Sequence, residues 1–137
     1  MPFEIVAHTA DVALVIRGRT MGELLTNAAL ALVHLTTAGS GVQATECRTI
    51  AVDSVDDDAL LVDWLNELIY FMYAERIVYT EFIFPELTAG HVVARCCGWH
   101  LCPGSDQLRR EVKAATHHMV HISSTPDGYS ARVIVDV

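Results

Sequence analysis

Positive charge is scarce in this sequence. Nine lysines and arginines stand against seventeen acidic residues, so the formal net charge is −8, and Lys113 is the only lysine. Because proteins bind nucleic acids largely by neutralising phosphates with lysine and arginine, no strong direct binding to RNA or DNA is expected. The negative field favours a cation or a basic protein surface as the partner.

Long apolar runs are also lacking. No stretch approaches the roughly 20 apolar residues needed to cross a bilayer. The first residues, Met1-Pro2-Phe3-Glu4, lack the basic region and the apolar segment of a signal peptide. We therefore expect no association with a membrane and a cytoplasmic location.

Cysteine is sparse: the chain has only Cys47, Cys96, Cys97 and Cys102. Four cysteines do not make a disulfide framework in a chain of this length that lacks an export signal, so we expect reduced thiols. Zinc needs three or four converging ligands, usually in separated pairs, whereas adjacent cysteines on a strand point to opposite faces. Burial of Cys96 or Cys97 in the core is therefore favoured over a zinc site.

Local catalytic signatures are missing as well. The sequence has no nucleophile elbow, no phosphate-binding glycine loop, no zinc-protease signature and no EF-hand spacing. Their absence weakens the case for an enzyme. A small metal-dependent hydrolase can lack local motifs, however, and a chaperone-like protein-binding module is the other alternative.

The residues that are present predict a single domain over residues 1–137. This length is typical of one domain, and 52% hydrophobic residues allow a substantial core. Short strands joined by turns, such as Pro126-Asp127-Gly128, favour an α+β fold with mainly antiparallel sheet and two packed helices. Runs of β-forming residues predict the strands, at Phe3–Ala7, Val12–Arg17, Cys47–Asp53, Thr80–Phe84, His91–Cys97, Val112–Ile122 and Tyr129–Val135.

Two helices are predicted from capping residues and periodic apolar side chains. Thr20 and Glu23 have the form of a capping box, and Gly39-Ser40-Gly41 ends the helix that follows. The run Asp56-Asp57-Asp58 suits the start of the second helix, because carboxylates favour the positive end of the helix dipole. The second helix has a wide apolar stripe, formed by Leu60, Leu61, Trp64, Leu65, Leu68, Ile69 and Met72.

Two aspartates near the ends of the chain are candidates for a metal site. Asp11 lies between two predicted strands, where its carboxylate could bind a hard cation, which prefers oxygen ligands. This segment alone, however, favours a turn in which Asp11 accepts hydrogen bonds from backbone amides. Asp136 precedes the α-carboxylate of Val137, and carboxylates this close repel unless a cation or proton lies between them. A frayed terminus is the alternative, against which the alternation of Tyr129–Val135 argues.

Two further clusters have ordinary structural explanations. A solvated helix N-terminus explains most of the acidic run formed by Asp53, Asp56-Asp57-Asp58 and Asp63. Glu67 lies one turn beyond Asp63, and their shared face suits the arginines of a protein partner. His117 and His121 share a face of a predicted strand, where cross-strand packing explains them about as well as metal binding does.

Several segments together resemble the archease family. The run His8-Thr9-Ala10-Asp11-Val12 is similar to the N-terminal signature of the family, and Gly22-Glu23-Leu24-Leu25 opens a similar alanine-rich helix. The segment 60–70 resembles the central helix of the family, 111–118 resembles its C-terminal strand motif, and Val133-Ile134-Val135-Asp136-Val137 resembles its ending. The resemblance covers essentially the whole chain, in the right order.

This resemblance implies a function that composition does not. Archease is an accessory factor of the RtcB-type RNA ligase in tRNA splicing and RNA repair, where it helps the ligase to become guanylylated and to turn over repeatedly. The resemblance implies that Asp11, Asp136 and the carboxylate of Val137 bind a divalent metal, calcium first, with magnesium or manganese as alternatives. It also places Glu67 and Lys113 on the surface that activates the ligase.

Overall fold

The computed structural model describes residues 2–7, 11–37, 43–101 and 110–137. Two helices and seven strands follow one another in these ranges. No helix within them is both long and apolar enough to cross a membrane. The elements are β1 (Phe3–Ala7), β2 (Asp11–Gly18), α1 (Met21–Thr36), β3 (Glu46–Asp53), α2 (Asp57–Ala74), β4 (Ile77–Thr88), β5 (His91–His100), β6 (Ala114–Thr125) and β7 (Gly128–Asp136).

The strands form two antiparallel sheets, one with four strands and one with three. The four-stranded sheet has the order β1-β2-β7-β6, and the three-stranded sheet has the order β3-β5-β4. The predicted α+β fold with antiparallel pairing and two helices is confirmed. The structure adds that the last strand, β7, lies inside its sheet, between β2 and β6.

The two helices join the sheets into one core. Helix α1 packs on β2 and β4, and α2 packs on β6 and β4, so each helix contacts both sheets. Trp64 on α2 is fully buried, its ring contacts Phe82 and Phe84 of β4, and its indole N–H donates to the carbonyl of Leu25 on α1 at 3.0 Å. Because α2 is surrounded on several sides, its apolar stripe is wider than that of a surface helix.

Both helices begin where the capping residues predict. The hydroxyl of Thr20 accepts from the amide of Glu23 at 3.1 Å, and the carboxylate of Asp56 accepts from the amide of Ala59 at 2.8 Å. Each of these bonds satisfies an amide that has no partner within the helix. The predicted stop of α1 at Gly39-Ser40-Gly41 lies outside the described residues, although the helix ends just before it, at Thr36.

Irregularities lengthen or displace several of the predicted strands. Strand β4 runs well beyond the predicted Thr80–Phe84, with a shift of register between Ile83 and Glu86. Pro85 lies within that shift and on an edge strand, where a residue without an N–H is tolerated. Strand β6 begins at Ala114 and continues past Ile122 to Thr125, so the predicted segment was too early at both ends.

The prediction that the cysteines are reduced was wrong for Cys47 and Cys97, which form a disulfide. They lie directly opposite each other on β3 and β5, and this pairing is what brings them together. Cys96 is a free thiol, and its burial in the core is confirmed. Cys102 lies outside the described residues.

Candidate functional site

Asp11 and Asp136 meet across the four-stranded sheet. Asp11 is the first residue of β2 and Asp136 is the last residue of β7, and the register of these antiparallel strands pairs one with the other. Residues directly opposite in such a pair have Cβ atoms about 4.5–5.5 Å apart. The structure therefore brings together the two aspartates singled out from the sequence, which we call the terminal carboxylate pair.

The terminal carboxylate pair lies on the sheet face that points away from the core. The next pair in register, Val12 and Val135, is fully buried. Because successive side chains of a strand point to opposite faces, Asp11 and Asp136 occupy the outer face. Asp11 is partly exposed and Asp136 is exposed, so a ligand in solvent can reach both carboxylates.

The C-terminal end of β7 is held in place on both sides. The backbone N–H of Lys113 donates to the carbonyl of Asp136 at 2.8 Å, and Ala114 pairs with Asp136 across β6 and β7. The side chain of Val137 packs against the core and is partly buried. A frayed terminus is therefore inconsistent with the structure.

The donor set at this site fits a hard cation. Within the described residues, neither Asp11 nor Asp136 forms a side-chain hydrogen bond or an ion pair, so the cluster has two oxygen-bearing side chains and no neutralising partner. No group of three or more His, Cys, Asp or Glu side chains in those residues could hold a metal. The α-carboxylate of Val137 is the third ligand that the family resemblance implies. The segment His8 to Ala10 lies outside the described residues.

Lys113 and Glu67 occupy different positions relative to the terminal carboxylate pair. Lys113 is exposed and lies beside Asp136, through the backbone bond described above. Glu67 lies on α2, in a groove shared with Asp53 of β3 and with Asp63. Its neighbour Asn66 connects this part of α2 to β6, because its side-chain amide both donates to and accepts from the backbone of Ala115, at 3.1 and 2.8 Å.

The acidic residues at the start of α2 have structural partners, unlike the terminal carboxylate pair. We call Asp56, Asp57, Asp58 and Asp63 the α2 acidic cluster. Besides the cap made by Asp56, Asp57 accepts from the N–H of Gly90 in the β4–β5 turn at 2.8 Å, and Asp58 accepts from the N–H of Ile122 on β6 at 2.8 Å. The sequence predicted a solvated helix N-terminus, but these residues also connect α2 to both sheets.

Two of the three histidines of β6, His117 and His121, contact the α2 acidic cluster. His117 Nε2 lies 3.3 Å from Asp63, which also accepts from the hydroxyl of Ser54 at 2.6 Å, and His121 Nδ1 lies 3.5 Å from Asp58. The register of β6 and β7 shifts between Thr116 and His121, so this part of β6 bulges out of the ladder. Both histidines therefore turn toward α2, whereas the sequence offered cross-strand packing or metal binding for them.

One charged cluster has no counterpart among the sequence predictions. His91, the first residue of β5, lies between Asp53 of β3, which contacts its Nδ1, and Glu86 of β4, which is 3.0 Å from its Nε2. The hydrogen bonds to Glu86 and then to Asp53 raise the pKa of His91 above its ordinary value. The sequence predicted that His91 begins a strand, but nothing local indicated that Asp53 and Glu86 would flank its ring.

Comparison with known proteins gives one family. The model of the archease protein family matches residues 3–137. The archease of Methanosarcina acetivorans is 32% identical to this chain, over 98% of the chain and 95% of the relative. The archease of Methanothermobacter thermautotrophicus is 35% identical, over 98% of both chains.

Solved structures agree with the sequence comparison. The solution structure of protein 1598 of Methanobacterium thermoautotrophicum is 34% identical, covers 99% of both chains and has a TM-score of 0.84. The crystal structure of an archease from Thermotoga maritima is 20% identical, covers 96% of this chain and 94% of its own, and shares the fold with a TM-score of 0.65. Over essentially its whole length, the chain thus belongs to the archease family.

Proposed function

We propose that this archease is a cytoplasmic accessory protein of an RtcB-type RNA ligase and has no catalytic activity of its own. It promotes guanylylation of the ligase and repeated turnover in tRNA splicing or RNA repair. The single observation that carries the proposal is the pairing of Asp11 with Asp136 on an exposed face, next to Lys113. These residues are the ones that the family resemblance assigns to the metal and to activation.

The terminal carboxylate pair and the α-carboxylate of Val137 are the proposed ligands of a divalent cation. Calcium is the first choice because it accepts several oxygen ligands in flexible geometry, and magnesium or manganese are the alternatives. A bound cation would offset the mutual repulsion of the carboxylates. At the active site of the partner it would supply positive charge near phosphate oxygens.

Charge supports a protein partner over direct binding to RNA. The net charge of −8 favours approach to a basic surface, such as the mouth of an active site that binds nucleotides and RNA phosphates. Lys113 lies beside the terminal carboxylate pair, and Glu67 lies in a groove formed by α2 and β3. Both complete the proposed contact surface, and neither forms a side-chain hydrogen bond or ion pair with another described residue.

A multiple-turnover RNA ligation assay with the cognate ligase tests this proposal. Asp11→Ala and Asp136→Ala should each abolish stimulation while the circular dichroism spectrum stays unchanged. Asp127→Ala is the matched control, because it removes the same charge from the exposed turn at the other end of β7. Normal stimulation by both site variants would refute the proposed surface.

The same preparations distinguish the two rival functions. Hydrolysis of phosphoesters by the purified protein without any ligase would support a small metal-dependent hydrolase. A chaperone-like module would instead retain its function in Asp11→Ala and Asp136→Ala, because apolar surface would carry the binding. The proposed accessory function requires the opposite result in both experiments.

A further inference from the structure

The Cys47–Cys97 disulfide lies on the solvent-facing side of the three-stranded sheet. Along β3, Ile50 and Val52 are buried, whereas Cys47 and Thr49 are exposed, so the disulfide occupies the face opposite the core. Cys97 is half-buried, and β3 is an edge strand with no neighbour on its other side in this sheet. A small thiol in solvent can therefore approach the sulfur of Cys47.

We infer that Cys47 and Cys97 form a reversible redox site that exchanges with low-molecular-weight thiols and controls how firmly the start of β3 is held. A thiolate attacks the Cys47 sulfur, forms a mixed disulfide and releases Cys97 as a thiolate, which takes up a proton. A second thiol then releases Cys47 and leaves as the disulfide of the reductant. Two electrons and two protons pass to the protein, and oxidised glutathione reverses the exchange.

The fold does not depend on this bond, so reduction leaves the domain intact. Strand β3 pairs with β5 along its whole length, from Glu46 to Asp53. Between Cys47 and Thr49, the guanidinium of Arg48 forms two hydrogen bonds to Glu75, at 2.6 and 2.8 Å, and lies 4.4 Å from the ring centre of Phe71 on α2. These contacts hold β3 to both β5 and α2 when the disulfide is open.

The same register favours closure of the disulfide after reduction. Because Cys47 and Cys97 are directly opposite in the ladder, the two thiols remain neighbours and reoxidation is intramolecular. The adjacent thiol, Cys96, does not compete. It is fully buried on the core face, and burial raises its pKa to about 12, so it lacks both the access and the thiolate that exchange needs.

Reduction should act on the first residues of β3. The disulfide connects Cys47 to β5 close to the backbone bond in which the N–H of Thr45 donates to Gly98 at 2.8 Å. Opening the disulfide removes the covalent restraint from this end, whereas Ile50 and Val52 keep the other half of the strand in the core. The expected change is faster amide exchange near Thr45 and Cys47, with little change near Val52.

Differential alkylation of the native protein tests the inference, in a Cys102→Ser background that leaves only the pair and Cys96. After incubation in glutathione buffers of stepped reduced-to-oxidised ratio, peptide mass spectrometry should show Cys47 and Cys97 becoming labelled together. Cys96 should stay unlabelled, and the circular dichroism spectrum should not change. Excess oxidised glutathione should close the disulfide again, so that Cys47 and Cys97 are no longer labelled.

Three results would overturn the inference. They are a disulfide that opens only in denaturant, labelling of Cys96 in step with the pair, and failure to reoxidise. A Cys47→Ser, Cys97→Ser double variant is the control for the effect on β3. Its amide exchange near Thr45 should match that of the reduced protein in every buffer, and exchange that matches the oxidised protein would show that the disulfide does not restrain the strand.

Discussion

The two acidic regions of this domain use the same chemical group in opposite ways. Every carboxylate of the α2 acidic cluster accepts a hydrogen bond from another group, such as the amide of Ala59, Gly90 or Ile122 or the hydroxyl of Ser54. The terminal carboxylate pair forms no side-chain bond of this kind with a described residue. The first region stabilises the fold, and the second leaves its oxygens available for a ligand.

This contrast shows why a count of acidic residues is a poor guide to a site. The α2 acidic cluster is the denser run in the sequence, yet its members connect α2 to the β4–β5 turn and to β6. Asp11 and Asp136, the two members of the terminal carboxylate pair, are more than 120 positions apart in the chain, and only the β2–β7 ladder brings them together. Substitutions should therefore affect stability in one region and ligand binding in the other.

The largest expected effect is stabilisation by calcium through the terminal carboxylate pair. At a calcium concentration 100-fold above Kd, a ligand that binds only the folded state raises the free energy of unfolding by about 2.7 kcal/mol. Urea unfolding of chelator-treated protein, with and without calcium, should show this gain in the wild type and in Asp127→Asn but lose it in Asp136→Asn. If calcium stabilised Asp136→Asn as much as the wild type, the terminal carboxylate pair would not be the calcium site.

A second effect is the loss of stability in Asp58→Ala. This change leaves the N–H of Ile122 without its acceptor and removes the carboxylate near His121. An unsatisfied, partly buried amide should lower the free energy of unfolding by about 1–2 kcal/mol, measured by urea denaturation. Asp58→Asn keeps an acceptor oxygen and should lose less; equal losses would show that charge, not the hydrogen bond, is what matters there.

A somewhat smaller effect is expected at the cap of α2. Asp56→Ala removes the acceptor for the amide of Ala59 and should lower the free energy of unfolding by about 1 kcal/mol. Asp56→Ser is the matched control, since serine also caps helices and should leave stability close to that of the wild type. If the serine variant is as unstable as the alanine variant, the capping bond does not account for the role of Asp56.

The smallest effect should depend on pH and arises at His91. The carboxylates of Glu86 and Asp53 raise the pKa of this imidazole above its ordinary value of 6.5. A raised pKa in the folded state stabilises the protein fully below the pKa of the unfolded state, and this contribution is lost as the pH rises through the folded pKa. His91→Gln should therefore be less stable than the wild type at pH 5.5–6 and approach it above pH 8, as measured by thermal unfolding in matched buffers. A difference that stays constant with pH would point to packing instead.

The helices were predictable because their signals are local. Thr20 and Asp56 are capping residues a few positions from the amides that they bind, and the apolar period of α2 needs no knowledge of its neighbours. The turn before Gly128 is local too, since its φ of 137° is one that glycine adopts readily. For the terminal carboxylate pair, the sequence offered Asp11 and Asp136 separately as candidates, and only the family resemblance joined them into one site.

The parts that were missed depend on which strands pair and in which register. The disulfide exists because β3 and β5 place Cys47 opposite Cys97, and no local pattern in the sequence encodes that pairing. The bulge that turns His117 and His121 toward α2 is likewise a mismatch in length between β6 and β7, visible only after both strands are aligned. The division of seven strands into two sheets follows from the same non-local choices.

The inner position of β7 has a consequence for folding kinetics. Its partners are β2, near the beginning of the chain, and β6, so β7 must enter between them to complete the sheet. Closing a contact across most of the chain costs loop entropy before any pairing is gained, which makes such topologies slow to fold. During synthesis, β2 and β6 remain without their shared neighbour until β7 has emerged, and the terminal carboxylate pair is assembled only then.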